Sequence, residues 1–237
     1  WVLDGQTGAL KTAFELPEGY RENYDWGYLA SEGEVLYGSA VRRGGLFVGA
    51  DGEWYDDPGN ESQKVISDVL FAMDRHTGDL LWTREGGAVV NSTITLGGNR
   101  LFFMESRSDA VKALDAGRAG DEISKDRFLV SMDAQNGSAL WDRPYGEDKA
   151  TFVMYLMHTN ERLIAVDSSD RWELSAFGTS DGELLWEQNY EWLRDHHGGA
   201  MTHPAIIGDM IIAEPKIVSL SSGEVLREVP DREHGCG

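Results

Sequence analysis

The sequence predicts an all-β fold built from repeated four-stranded units, and three observations carry that expectation. The first is a stretch that returns. Residues 72–82 (AMDRHTGDLLW), 131–141 (SMDAQNGSALW) and 176–186 (AFGTSDGELLW) share one pattern. Each opens on a small residue (Ala72, Ser131, Ala176), has a glycine six positions on (Gly78, Gly137, Gly182) and a tryptophan ten positions on (Trp82, Trp141, Trp186). The second is spacing. Weaker copies surround Gly8 and Gly223, and the five glycines lie 70, 59, 45 and 41 residues apart. The two shorter intervals match the ~40–45-residue period of a four-stranded propeller blade, and the longer two exceed it by roughly the lengths of two insertions. The third is composition: short apolar runs rich in Val, Ile, Leu and aromatics, bounded by Gly, Asn and Asp, with no long amphipathic helical pattern.

Each copy reads as strand, turn, strand. In the first full copy, residues 69–73 form an apolar run. Residues 74–78 turn, with Asp74 and Thr77 able to bond nearby backbone and Gly78 supplying a positive φ. Leu80, Leu81 and Trp82 resume the strand. Taken in order, residues 1–14 hold a part-blade with Thr12 at the tryptophan position, and 15–26 form a polar, aromatic connector. The first blade spans 27–83: a short strand, a turn at Glu32 and Gly33, a second strand over 34–39, then an insertion over 42–68. The second spans 88–142, with strands over 92–96 and 100–104 and an insertion over 105–127. The spacing of Ala110, Val111 and Leu114 predicts a short helix there. The third, 151–187, is compact and is followed by a connector reaching Gly199. The fourth, 200–228, carries a degraded copy without tryptophan, and 230–237 open a further unit. All belong to one domain, 1–237: about four blades plus part-blades at both ends. An open arc of this kind leaves two unpaired edges and predicts self-association.

In a propeller the gap between blades widens outward, so outer strands need large plates. Trp82, Trp141 and Trp186 fit that need, and each indole N–H can reach a partner. The small residues Ala72, Ser131 and Ala176 are expected to leave room for a neighbouring blade's tryptophan. The pattern Ala-x-Asp-x-x-Thr-Gly-x-x-x-Trp resembles the tryptophan-docking motif of the pyrroloquinoline-quinone-like propellers. That superfamily includes quinoprotein alcohol dehydrogenases and a lipoprotein that assists outer-membrane protein assembly. The insertions and connectors are similar to those of bacterial, planctomycete-type propellers. The resemblance implies seven or eight blades in a closed ring, with a four-bladed ring as the alternative. For the dehydrogenases it also implies a quinone at the axis with Ca2+, a catalytic Asp and two adjacent cysteines. Only Cys236 is present, and no catalytic residue or calcium-ligand set carries over.

Composition narrows the partners. The chain holds 41 Asp and Glu against 21 Lys and Arg, a net charge of −20. Such a surface repels nucleic acid and anionic membranes. A single cysteine permits no internal disulfide, and no apolar run is long enough to span a bilayer.

Topology then locates a candidate surface. In an up-and-down meander, second-to-third-strand loops share a face with the connectors between blades. Both insertions and both long connectors therefore fall on one face, where loops on a rigid scaffold carry function. The expected ligand face comprises Asp51, Trp54, Tyr55, Tyr190, Trp192, Arg194, Asp195, His196 and His197. Its aromatics either stack on a sugar or peptide or cap blade edges. Asp51, Glu53, Asp56 and Asp57 resemble a loose calcium site without EF-hand spacing. His196, His197 and His203 are half of the six histidines within eight residues. They offer a metal or acid–base set that matches no zinc spacing, and on that set a metal-assisted hydrolase is a third possibility. The expected function is a non-catalytic binding scaffold, periplasmic or exported, for a protein or glycan. It carries no cofactor, and its alternative is a PQQ- and Ca2+-dependent dehydrogenase.

Overall fold

A computed structural model describes residues 1–45, 63–115, 117–146, 151, 153–159, 161–168, 171–191 and 203–229. They are almost entirely β-structure, and every strand pair is antiparallel. Strands β1 (Val2–Leu3) and β2 (Leu10–Thr12) form a hairpin. The first blade holds β3 (Tyr24–Glu32), β4 (Val35–Arg42), β5 (Lys64–Asp74) and β6 (Leu80–Val90). The second adds β7 (Thr95–Gly97), β8 (Arg100–Ser106), β9 (Arg118–Ala119), β10 (Arg127–Asp133) and β11 (Ala139–Pro144), with the short helix α1 (Asp109–Lys112) in its insertion. The third is β12 (Val153–Thr159), β13 (Arg162–Ser168), β14 (Trp172–Gly178) and β15 (Leu184–Tyr190). The fourth is β16 (Ala205–Ile207), β17 (Met210–Ala213), β18 (Lys216–Ser219) and β19 (Val225–Glu228). The third and fourth blades are separate four-stranded sheets in sequential order, and among the described residues no sheet closes on itself. This is the architecture of a partial β-propeller.

Three expectations shift in detail. Strand β3 has nine residues rather than being short, with a bulge between Trp26 and Leu29. The predicted strand at 92–96 is instead a 3-10 turn over Asn91–Thr93 followed by β7. The first two blades are also not separated at 83–88. Strand β6 runs on to Val90, and its last turnless stretch pairs Ala88 and Val89 with Ser106 and Glu105 of β8, so both blades share one nine-stranded sheet. Gly86 and Gly87 carry the chain through without a break.

The recurrent stretch takes the same register every time. Val2 faces Thr12, Ala72 faces Trp82, Ser131 faces Trp141, Ala176 faces Trp186 and Ile217 faces Arg227. A bulge follows each pair, and each turn glycine sits at φ between 70° and 79°. In the turns, the Asp74 carboxylate accepts from the amides of His76 and Thr77, and Asp133 does the same for Gln135 and Asn136. Ser219 takes over this role from its hydroxyl in the fourth blade.

The tryptophans join the blades, as their place in the repeat implies. Trp82 Nε1 donates to Ala134 O, Trp141 Nε1 to Thr179 O and Trp186 Nε1 to Leu220 O, each at 3.0 Å. Each acceptor lies three residues before the next blade's turn glycine. The indole then lies flat against that glycine: a Cβ on Gly137, Gly182 or Gly223 would lie 2.7–2.8 Å from the ring. The receiving element is thus the turn glycine. The small residue instead faces its own blade's tryptophan across the ladder, which corrects the role expected for Ala72, Ser131 and Ala176. At the first interface Phe14 replaces the missing tryptophan, and its ring meets Gly78.

Tyr190 is also corrected. It is the last residue of β15, not a loop aromatic on the ligand face. It is buried among Trp172, Ile211 and Ala213, and its hydroxyl donates to Ala213 O at 2.6 Å. Strand alternation through β15 turns it inward, and burial pushes its phenol up. The position 230–237 and the residues 192–202 lie outside the described residues.

Two stability measurements test this packing. Trp141→Ala should cost about 3–5 kcal/mol in urea unfolding, and Trp141→Phe clearly less, because it keeps a ring on Gly182 and loses only the indole bond. Ser131 Oγ is buried with no hydrogen-bond partner, while its two counterparts are alanines. Ser131→Ala should therefore raise stability by about 1 kcal/mol; a loss of that size would contradict the register argument.

Candidate functional face

The described ends of the two insertions meet. Lys64 and Val65 at the start of β5 pair with Ala119 and Arg118 of β9. Ile66 N donates to Gly117 O at 2.9 Å, and Arg118 Nε donates to Gly45 O at 2.6 Å. At this crossing the backbones touch: a Cβ on Gly45 would lie 2.8 Å from Gly117 Cα. Beneath, Ile66, Ala88, Val90, Val111, Ala119 and Ile123 form a small buried cluster of their own. It draws on a strand start, a blade connector and the second insertion. The described ends of the insertions thus meet beside the first two blades, where α1 stands with the Ser108 side chain accepting from Ala110 N; residues 46–62 and the connector over 192–202 lie outside the described residues.

Two buried charge clusters hold this face across blade boundaries. Glu105 is fully buried. Arg84 of the preceding blade reaches it at 2.7 Å and Arg107 at 2.9 Å, and Gly87 N also donates to it. Burial raises the Glu105 carboxyl, but the two arginines outweigh burial and hold it below its ordinary 4.5. Arg127, equally buried, donates to Asp167 at 3.2 Å, to Thr151 Oγ1 at 2.9 Å and to the carbonyls of Tyr145 and Gly146. Lys64 Nζ donates to Thr151 O, so three blades meet here. Desolvation lowers the Lys64 ammonium.

Two clefts open nearby. One, of about 430 Å3, runs along the innermost strands and is lined by Tyr28, Gln63, Lys64, Asn91, Ser92 and Tyr155 among others, with no carboxylate. The second, of about 220 Å3, lies between the 15–26 connector and the first two blades. Tyr24 Oη donates to Asp68 Oδ2 at 3.0 Å and Arg42 Nε to the same oxygen at 2.7 Å. Tyr20 Oη donates to Glu85 Oε1, and this bond, with burial, pushes its phenol up to about 12. Burial first, then Asp68, raises Tyr24 as well. Both phenols are hydrogen-bond donors at neutral pH.

Most of the expected ligand residues, namely Asp51, Trp54, Tyr55, Trp192, Arg194, Asp195, His196 and His197, lie outside the described residues, as do Glu53, Asp56 and Asp57. His203 is described: its Nδ1 donates to Pro204 O at 2.8 Å and its ring lies 4.4 Å from Tyr155. Among the described residues no group of three or more His, Cys, Asp or Glu is placed to hold a metal ion. Tyr20, Tyr24, Arg42, Asp68 and Glu85 were not singled out from the sequence. The aromatic character of the 15–26 connector was their only signal. No helix among the described residues is long and apolar enough to cross a membrane.

Glu105 offers a test by pH. A carboxyl held below its ordinary value stabilises the fold above that value, and the contribution is lost as pH falls through its lowered folded value. Glu105→Gln should cost about 3 kcal/mol at pH 7, and its deficit against the unaltered chain should shrink towards pH 3 in urea titrations. A deficit independent of pH would contradict an ionised Glu105.

The family profile described as outer membrane protein assembly factor BamB matches residues 30–189 and, in an overlapping register, 67–228. No curated protein sequence matches the chain. Among solved structures, the computationally designed protein Ika8 matches at a TM-score of 0.50 and 12% identity, over 86% of this chain and 48% of the designed one. BamB from Moraxella catarrhalis matches at a TM-score of 0.44 and 17% identity, over 84% and 59%. Quinohemoprotein alcohol dehydrogenase ADHIIG from Pseudomonas putida HK5 matches at 0.39 and 12%, over 68% and 20%. The chain thus spans about half the length of the designed protein and 59% of that BamB.

Proposed function

The chain belongs to the family of repeat propellers described by the outer membrane protein assembly factor BamB, and from that premise we propose that it is a non-catalytic binding propeller. It works in the periplasm or outside the cell and holds a protein or glycan partner on its loop-elaborated face. One observation carries the reading: the described end of the first insertion pairs with the second insertion over a small buried cluster of its own. Chain added to a scaffold and then packed this way is a fixed surface, suited to recognition without a large ordering cost.

A quinone with calcium is the alternative chemistry. Calcium takes six to eight oxygen ligands, with carboxylates prominent. The described lining of the axial cleft supplies amide, hydroxyl and ammonium groups but no carboxylate, so it does not fit that pair, and no step is derived through it.

Two assays on the full-length protein separate the readings. A photo-crosslinking residue at Lys112, on the elaborated face, should capture a macromolecule in the producing cells, and one at Leu140 on the outer rim should not. Pyrroloquinoline quinone with Ca2+ should leave the tryptophan fluorescence unquenched. Saturable, calcium-dependent quenching with dye reduction on an alcohol would make the protein an oxidoreductase instead.

A further inference from the structure

We propose that the cleft bounded by Tyr20, Tyr24, Arg42, Asp68 and Glu85 is a subsite for a neutral, polyhydroxylated ligand, a sugar ring of a glycan. The inference rests on reading this face as a binding surface and names the ligand class for one part of it.

The hydrogen bonds leave acceptors and donors in a defined pattern. Tyr24 and Arg42 both engage Asp68 Oδ2, and Asp68 Oδ1 accepts no hydrogen bond from the described residues. Tyr20 engages Glu85 Oε1, and Oε2 is likewise open. Each carboxylate is therefore fixed by one oxygen and offers the other. Arg42 commits Nε to Asp68 and Nη2 to the Lys112 carbonyl, leaving Nη1 as a donor. Only one Asp68 oxygen is shared, so the pair is not a closed bidentate fork.

Charge then selects the ligand. Asp68 and Glu85 stand against Arg42 and Lys112 around the same cleft. An anion entering it meets the two carboxylates, and a cation meets the guanidinium and the ammonium. A neutral ligand that both donates and accepts satisfies the set, and vicinal hydroxyls do both. The two tyrosine rings, edge-to-face at 5.7 Å, supply an apolar wall for the C–H side of a ring. A volume of about 220 Å3 suits one ring, with the remainder of a glycan lying across the open face.

The test is saturation-transfer NMR on the full chain with glucose, galactose, N-acetylglucosamine and chitotriose, followed by calorimetry of any sugar that responds. At least one should bind, and Asp68→Asn with Glu85→Gln should weaken it at least about tenfold, the loss of one charge-assisted bond or more. Glu85→Gln alone, at an exposed carboxylate, should also weaken it and guards against a folding defect at Asp68. Silence from all four sugars, undiminished binding by both variants, or binding of tetra-arginine or inorganic phosphate in place of sugar overturns the subsite. If crosslinking from Lys112 still captures a partner while the sugars are silent, the subsite alone fails. If both are lost, the reading of the face fails with it.

Discussion

The contact on which the rest of the structure depends is an indole laid on a turn glycine of the next blade, with its N–H on the carbonyl three residues earlier. It recurs at Trp82, Trp141 and Trp186 with one geometry. A four-stranded sheet cannot bury both faces alone, so each blade's stability is shared with its neighbours. The indole fills the outward-widening gap, and the glycine supplies both the positive φ of the turn and the flat surface beneath the ring. No other residue meets both demands, because any Cβ would enter the ring. The hydrogen bond fixes which part of the turn the ring meets, and so the angle between blades.

That fixed stacking explains how the inter-blade charges are tolerated. Glu105 and Arg127 lie fully inside. Burying such groups is costly unless they are paired and fully bonded. Here Arg84 reaches Glu105, and Thr151 and Asp167 reach Arg127, from neighbouring blades, and only a rigid inter-blade geometry keeps them within reach. Their satisfaction in turn penalises any slip between blades, because a displaced blade would strand a charge. The apolar contact sets the spacing, and the ionic contacts make it specific on the elaborated face.

Much of this was legible in the sequence, because the repeat is local. The strand–turn–strand pattern and the five turn glycines follow from short-range periodicity and meander topology. What stayed hidden depends on contacts between distant residues. Phe14 substitutes for a tryptophan two positions away from the motif, which no spacing rule covers. Tyr190 read as a loop residue because the connector has no turn signal until Gly198; the ladder with Trp172 carries β15 further. The pairs Tyr24–Asp68 and Tyr20–Glu85 span 44 and 65 residues. They meet only because the meander returns the start of β5 and the end of the first blade to one face.

The balance of charge in that cleft is notable on a chain of net −20. Long-range repulsion acts over roughly a Debye length, about 8 Å at physiological ionic strength. Anionic ligands are therefore resisted before they reach any particular pocket. Within the pocket, Arg42 and Lys112 cancel the nearest carboxylates, so short-range chemistry decides. For the sugar ligand proposed, long-range electrostatic capture contributes nothing, and recognition falls to shape and hydrogen bonding.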